Sequence, residues 1–433
     1  MLERGAERLQ PRHVVAAGLE RRSTREIADA YEAAFHADEA AVNILPAHVF
    51  PRATEHIPEM LELAAQLVAR GHAYVSPARN VYYAVASFPG YGALSGNSLD
   101  ALRAGHRGDL EPDKRDPADF ALWKAAGEGR ELKWPSPWGE GYPGWHLECS
   151  AMARRYLGDR FDIHTGGIDN VFPHHEDEIA QSAPVVGGAP ARHWVHGEHL
   201  LAAGHKMAKS AGNFERVTEL AAEGLDPLAF RYLALTVRYG RKLNYSRASL
   251  AAAAAALASL RARLRDLGVA SGDGPWRPPS PIVAGFAGER PRGVASAVVG
   301  HQASGDAPPA PPLPDRAHAP AAPLSDAGRA IHARFVAALD DDLDLPAALA
   351  VVREALRADL PADERRWLAL DADAVLGLDL HRAWDQPAGQ PTADPRIPDL
   401  VAERDTARAA HDYEKADALR RELVRLGVEI RDR

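Results

Sequence analysis

The sequence contains one cysteine, Cys149, among its 433 residues. A single cysteine excludes an internal disulfide framework and any metal site made of cysteines alone. The chain also lacks an uninterrupted apolar run of the roughly 18–20 residues that a bilayer span needs, and its first residues mix charges as a signal or transit peptide does not. These absences exclude an integral membrane protein and lead us to expect a cytoplasmic one.

Lysine is scarce too, since seven of the 51 basic residues are lysines and the other 44 are arginines. Two of the seven lie three positions apart, at Lys206 and Lys209, directly after a predicted strand. Lysines in such a loop can neutralise nucleotide phosphates during phosphoryl or adenylyl transfer. For the pair taken alone, a solvated surface loop is the simpler interpretation. The net charge of −9 is a weak argument against nucleic-acid binding, because basic residues can be clustered.

Apolar periodicity predicts helices in residues 1–80, short strands and turns in 81–145, and alternating helices and strands in 145–240. The last part includes a predicted strand at 194–201 and a predicted helix at 226–239. Strands that alternate with helices are typical of parallel βα units, so we expect an α/β fold in this part. Ser246 is a suitable N-cap for a long helix that ends before Gly268.

A proline-rich stretch follows that helix. Residues 271–323 hold 12 of the 33 prolines and show no hydrophobic period, which is typical of a disordered linker. Further helices are predicted within 324–380 and 397–433. The chain is therefore expected to be α/β first and mainly helical afterwards.

Cys149, His174 and Glu178 are candidate metal ligands. His174 and Glu178 are four residues apart, so on a helix they share one face, as two zinc ligands would. Cys149 comes near the start of another predicted helix, where the helix dipole would stabilise a thiolate. Taken separately, a buried core cysteine and a surface histidine are the simpler interpretations.

Several longer segments resemble the cysteinyl-tRNA synthetases, a family of class I aminoacyl-tRNA synthetases. Residues 144–152 are similar to the GWHIECSAM segment of that family, 161–169 to its FDIHGGG strand and turn, and 172–182 to FPHHENEIAQS. Residues 206–210 resemble the KMSKS signature of class I enzymes, with Ala208 in its third position. Shorter similar segments lie at 51–57, 119–124 and 413–420.

The resemblance implies a domain organisation. A Rossmann-like class I catalytic domain is expected at 1–245, with a connective insertion at about 40–140. A helical bundle is expected at 246–270 and 324–380, interrupted by the linker 271–323. The helices of 397–433 would recognise the anticodon of tRNA.

The resemblance also implies a metal-dependent amino-acid pocket. One zinc ion per chain would be held by Cys149, His174 and Glu178 and would bind the thiolate of L-cysteine, because zinc prefers sulfur to a hydroxyl and so rejects serine. Trp145 would close over the substrate side chain. Asp169 would hold the substrate's ammonium group.

ATP is the implied second substrate. Gly166 and Gly167 match the backbone that lies under adenosine, although Thr165 replaces the usual first glycine. Lys206 and Lys209 match the lysines that stabilise the α-phosphate during adenylate formation.

One departure from the family pattern concerns the ATP site. The sequence has no H-x-G-H loop and no second cysteine to act as a fourth zinc ligand. The similarity begins after the first strand–helix–strand unit, which lies next to the nucleotide site of such folds. We therefore expect an N-terminally incomplete catalytic domain that forms cysteinyl-adenylate slowly. A late start codon, a split gene or a truncated copy would each explain the missing segment.

The leading hypothesis is a cysteine–tRNA ligase, which joins L-cysteine to tRNA(Cys) through cysteinyl-adenylate and acts as a monomer. A cysteine-activating amide ligase of the mycothiol type is one alternative, although residues 397–433 and Glu178 argue against it. A catalytically inactive paralogue that keeps tRNA or zinc contacts is the other.

Overall fold

The computed structural model describes residues 23–98, 100, 113–202, 204–206, 215–268 and 324–384, together with 404, 415, 416, 418 and 419. Lys209, the predicted linker 271–323 and most of the predicted helices of 397–433 lie outside these residues. The described chain forms two compact units. Unit 1 contains the described residues up to Phe35 and Ala47–His199, and unit 2 contains His36–Pro46 and the described residues from Leu200 onward.

Helices and an antiparallel sheet come first along the chain. Helix α1 spans Thr24–Ala41 and α2 spans Ile57–Ala69. An antiparallel sheet follows, with the strand order β1-β2-β3-β4. Its strands are Ala73–Val75, Val81–Tyr83, Phe120–Ala125 and Gly141–Pro143. The sheet lies within the predicted connective insertion.

A parallel βα unit completes unit 1. Helix α3 (Trp145–Leu157) leads into β5 (Phe161–Gly167), and α4 (Glu176–Val186) connects β5 to β6 (Ala191–Gly197). Strands β5 and β6 pair in parallel from Phe161 opposite Ala191 to Gly167 opposite Gly197. This pairing confirms the prediction made from the alternating pattern. The unit 1 core lies beneath these elements and includes Met60, Leu67, Val81, Trp123, Leu147 and Ala180.

One predicted strand, 194–201, is instead two strands. After β6 ends at Gly197, β7 (Leu200–Ala202) joins a different sheet. There it pairs antiparallel with β8 (His205–Lys206) and parallel with a later strand, Leu243–Tyr245. A single continuous strand was the wrong prediction because the chain changes sheets at this point.

Unit 2 is mainly helical. After α5 (Val217–Ala222) and α6 (Leu228–Ala234), β9 (Leu243–Tyr245) leads into the long helix α7 (Arg247–Asp266). Helices α8 (Asp326–Asp340), α9 (Leu345–Ala355) and α10 (Ala362–Leu376) follow. The core of unit 2 includes Leu233, Leu250, Leu257, Leu349, Leu370 and Leu378.

Local side chains set two helix limits in unit 2. The Ser246 hydroxyl accepts a hydrogen bond from the Ser249 amide at 3.0 Å and caps α7, as predicted. The helix predicted at 226–239 is shorter, because its last residues form turns in which Thr236 Oγ1 donates to the Leu233 carbonyl at 2.6 Å. None of the helices in the described ranges is long and apolar enough to span a membrane.

Arg231 connects three segments of unit 2. Its Nε donates to the Leu376 carbonyl at 2.6 Å, and its Nη1 donates to the carbonyls of Val42 at 2.9 Å and Asn43 at 3.1 Å. Gly377 adopts φ +63° beside it, where an added Cβ would lie 2.7 Å from Arg231 Nη2. One guanidinium therefore satisfies the carbonyls that end α1 and α10.

We expect Arg231→Gln to lower the free energy of unfolding by about 2 kcal/mol, because charge-assisted hydrogen bonds to three carbonyls are lost. Arg241→Gln, at an exposed position before β9, is the matched control and should change little. Urea unfolding followed by circular dichroism measures both. Equal unfolding midpoints for the two variants would contradict this role.

Candidate functional site

Helix α3 brings Trp145, His146 and Cys149 to the site. The helix begins at Trp145 because Gly144 allows the chain to pass close to β3, where an added Cβ would lie 2.0 Å from the Ala121 carbonyl oxygen. Cys149 is therefore in the second turn of α3 and is half-buried.

The prediction that the helix dipole stabilises a Cys149 thiolate is wrong for the metal-free chain. Burial, followed by the charges of Glu178 and Glu148, raises the pKa of Cys149 to about 12. The thiol therefore stays protonated near neutral pH unless a cation replaces its proton.

The three predicted metal ligands come together. His174 is the fourth residue of a short turn, Val171–His175, directly before α4, and the residues His174 and Glu178 are 5% and 2% exposed. His174 Nε2 lies 2.7 Å from Glu178 Oε1, as expected of residues four apart on one helical face. One ligand atom each from Cys149, His174 and Glu178 lies within 4.8 Å of the other two.

A chain of side-chain contacts orients the His174 imidazole. Tyr91 donates to Asp177 Oδ1 at 2.5 Å, and Asp177 Oδ2 lies 3.2 Å from His146 Nε2. His146 Nδ1 in turn lies 2.8 Å from His174 Nδ1. Burial lowers the pKa of His146 to about 3, so this ring is neutral.

These contacts assign the tautomers of both rings. The proton of His146 is placed on Nε2, facing the carboxylate, so His146 Nδ1 accepts a hydrogen bond that His174 Nδ1 donates. His174 Nε2 is then unprotonated and faces Glu178. A carboxylate that fixes a histidine tautomer in this way, here through His146, is typical of the surroundings of a metal site.

The Glu178 carboxylate is ionised and only partly satisfied. Burial alone would raise its pKa, but contacts led by the one with His164 lower it to about 2. Oε2 lies 3.0 Å from His164 Nε2. Oε1 has no hydrogen-bond partner in the part of the chain that the structure describes, since the unprotonated Nε2 of His174 beside it has no proton to donate. A thiol, an unprotonated imidazole nitrogen and a free carboxylate oxygen fit the donor set that zinc prefers.

His164 was not identified as a site residue from the sequence. It forms a second cluster with His175 and Glu178, whose ligand atoms also lie within 4.8 Å of one another. His175 Nδ1 lies 2.8 Å from His196 Nε2, and burial lowers the pKa of His175 to about 4. The available signal was the position of His164 on a strand that leads into Gly166 and Gly167, since ligand sites of α/β sheets lie at the carboxyl ends of parallel strands.

Trp145 lies beside the metal candidates. Its ring stacks on His174 with centroids 4.2 Å apart and planes 25° apart. Asp169 is exposed in the 3₁₀ turn Ile168–Asn170, after β5.

Gly166 and Gly167 leave no room for a side chain. A Cβ on Gly166 would lie 2.7 Å from His175 Cε1, and one on Gly167 would lie 2.5 Å from Asp169 Oδ1. The close approach that requires glycine at 166 is therefore to the imidazole of the chain's own His175.

The lysine pair is only partly described. Lys206 ends β8, in the short sheet of unit 2, and Lys209 lies beyond the described residues. The structure thus unites Cys149, His174, Glu178 and Trp145 in one unit.

Comparison with known families gives two matches. Residues 11–255 match the family described as "tRNA synthetases class I (C) catalytic domain". Residues 390–433 match "Cysteinyl-tRNA ligase anticodon binding domain". The second match gives no support to an amide ligase that lacks such a domain.

Curated relatives cover almost the whole chain. A cysteine–tRNA ligase from a strain of Thermus thermophilus is 39% identical over 427 residues, which are 96% of this chain and 79% of that protein. One from Alkalilimnicola ehrlichii is 40% identical over 418 residues, 92% of this chain and 78% of that protein.

A solved structure confirms the fold class. Methionyl-tRNA synthetase from Mycobacterium tuberculosis superposes with a TM-score of 0.50 at 16% identity, covering 87% of this chain and 84% of that one. The inactive-paralogue hypothesis gains no support from any of these matches. On its sequence matches and its fold, the chain belongs to the cysteine–tRNA ligase family of class I tRNA synthetases.

Proposed function

We propose that this chain serves the reaction of its family, in which L-cysteine is activated with ATP and transferred to tRNA(Cys). The observation that carries the proposal is the convergence of Cys149, His174 and Glu178 beside Trp145, in a chain of this family. That arrangement offers one sulfur, one nitrogen and one oxygen ligand to a metal ion.

We propose one zinc ion per chain at these three ligands. When bound, it would take the substrate thiolate as a further ligand and discriminate against the hydroxyl of serine. The residues of the chain prepare this site. Asp177 and His146 hold the His174 tautomer, His164 holds Oε2 of Glu178, and the Trp145 ring covers one face of His174.

The remaining substrate contacts are proposed from the family pattern. Asp169 is exposed and can accept the ammonium group of cysteine. Gly166 and Gly167 would support the adenosine of ATP, and Lys206 and Lys209 would stabilise charge on the α-phosphate.

The domain limits are part of the proposal. We assign catalysis to 1–245, with the insertion at about 40–140, and a helical bundle to 246–270 and 324–380 around the linker 271–323. The helices of 397–433 would bind the anticodon region of tRNA. We further propose a cytoplasmic monomer.

Cys149→Ala and His174→Ala should each lose bound zinc, because two protein ligands hold the ion far less tightly than three. Metal content per chain, measured by mass spectrometry after dialysis, tests this. The control variant is His193→Ala, because His193 is exposed. The neighbouring His175 is less suitable as a control, since it belongs to the second cluster with His164 and Glu178. Unchanged zinc in Cys149→Ala would contradict the ligand assignment.

Removing residues 397–433 should abolish the preference for tRNA(Cys) over an unrelated tRNA. These helices would read unstacked anticodon bases, whereas phosphate contacts supply affinity that falls steeply with salt. Filter binding of both tRNAs at two salt concentrations measures the preference, with thermal unfolding to check that the shortened chain stays folded. Equal binding of both tRNAs by the full chain would contradict the proposed function.

A further inference from the structure

A cavity of about 330 Å³ in unit 2 has three arginines among its seven lining residues. Ser259 and Arg263 are four residues apart on α7 and so share one face of that helix. Arg353 lies in the last turn of α9, and Arg357 lies in the turn that follows this helix. All four side chains line the same cavity.

Arg353 forms the floor of this cavity. Its Nε donates to the Tyr232 hydroxyl at 3.0 Å, and its Cζ lies 5.4 Å from the centroid of the Tyr232 ring. Tyr232 is only 1% exposed, so its phenol holds the half-buried guanidinium in place. Arg263, Arg357 and Ser259 are exposed and form the rim.

These arginines lack the carboxylate partners that several other arginines of unit 2 have. Arg261, two residues from Arg263, contacts Asp226 at 2.6 Å, and Arg247 contacts Glu223 at 2.6 Å. Within the described ranges, no carboxylate lies within ion-pair distance of Arg263, Arg353 or Arg357. The chain carries a net charge of −9, so three guanidinium groups around one cavity do not follow from an overall excess of basic residues.

Three guanidinium groups around one cavity repel one another unless an anion lies between them. Guanidinium groups bind phosphate oxygens through paired, charge-assisted hydrogen bonds, and the Ser259 hydroxyl adds another donor. The cavity has no free aromatic face on which a base could stack, because the single lining aromatic, Tyr232, is covered by Arg353. The chemistry of the cavity thus matches a phosphate group without its base.

We infer that this cavity binds a backbone phosphate of tRNA. We choose tRNA over free phosphate as the ligand because the proposed function makes tRNA a substrate, so the inference rests on that function. The open rim admits a phosphate that is part of a polymer, and a contact of this kind positions the RNA without reading its sequence. Substitutions in the cavity should therefore weaken the binding of different tRNAs by the same factor.

The test compares the full chain with the double variant Arg263→Gln/Arg357→Gln, whose exposed positions leave the core intact. The matched control is Arg265→Gln, which removes a charge from the same helix but does not line the cavity. Filter binding of tRNA(Cys) over a salt series should show about tenfold weaker binding by the double variant. The slope of log affinity against log salt should shrink by about one. Arg263→Lys/Arg357→Lys keeps the charge and should restore most of the affinity.

A second arm uses inorganic phosphate. Its effect on the thermal unfolding midpoint is measured for the wild type, the double variant and the control. If tRNA affinity is unchanged in the double variant while the phosphate-dependent shift disappears, the cavity takes free phosphate and the inference is overturned. Unchanged results in both arms overturn it as well. If the wild-type chain itself fails to bind tRNA, the proposed function is contradicted. In that case, a phosphate-dependent shift of the unfolding midpoint that is lost only in the double variant assigns the cavity to a free anion.

Discussion

The free oxygen of the buried Glu178 carboxylate is the constraint on which the candidate site depends. A buried, ionised carboxylate is costly unless its oxygens are matched by positive charge or hydrogen bonds. His164 satisfies one oxygen, and the other faces a bare imidazole nitrogen of His174. A cation between Glu178, His174 and Cys149 would resolve this arrangement, and one ligand atom from each residue already lies within 4.8 Å of the other two.

The elements around the site maintain that arrangement. Helix α3 carries Cys149, α4 carries Glu178, and His174 lies in the turn before α4. The start of α3 packs closely against Ala121 at Gly144. The contacts from Tyr91 through Asp177 and His146 set the tautomer of His174, so their loss would leave His174 in place without a fixed tautomer.

The parallel βα unit and the pairing of His174 with Glu178 could be predicted from the sequence, because both depend on short-range patterns, whereas Cys149 was joined to them through the family resemblance. The spacing of His174 and Glu178 placed them on one face, and Ser246 marked the start of α7. The partners His146 and His164, and the raised pKa of Cys149, depend on burial between segments distant in sequence. Local patterns carry no information on such burial, so the helix-dipole argument for Cys149 gave the wrong direction.

The central claim is that this metal site recognises the thiol of cysteine. The most direct measurement is the absorption spectrum of the chain reconstituted with Co²⁺, whose thiolate charge-transfer bands report each sulfur ligand. The account predicts that L-cysteine intensifies the thiolate band beyond that of Cys149 alone, whereas L-serine leaves it unchanged. An identical response to both amino acids, or none to cysteine, would contradict the account.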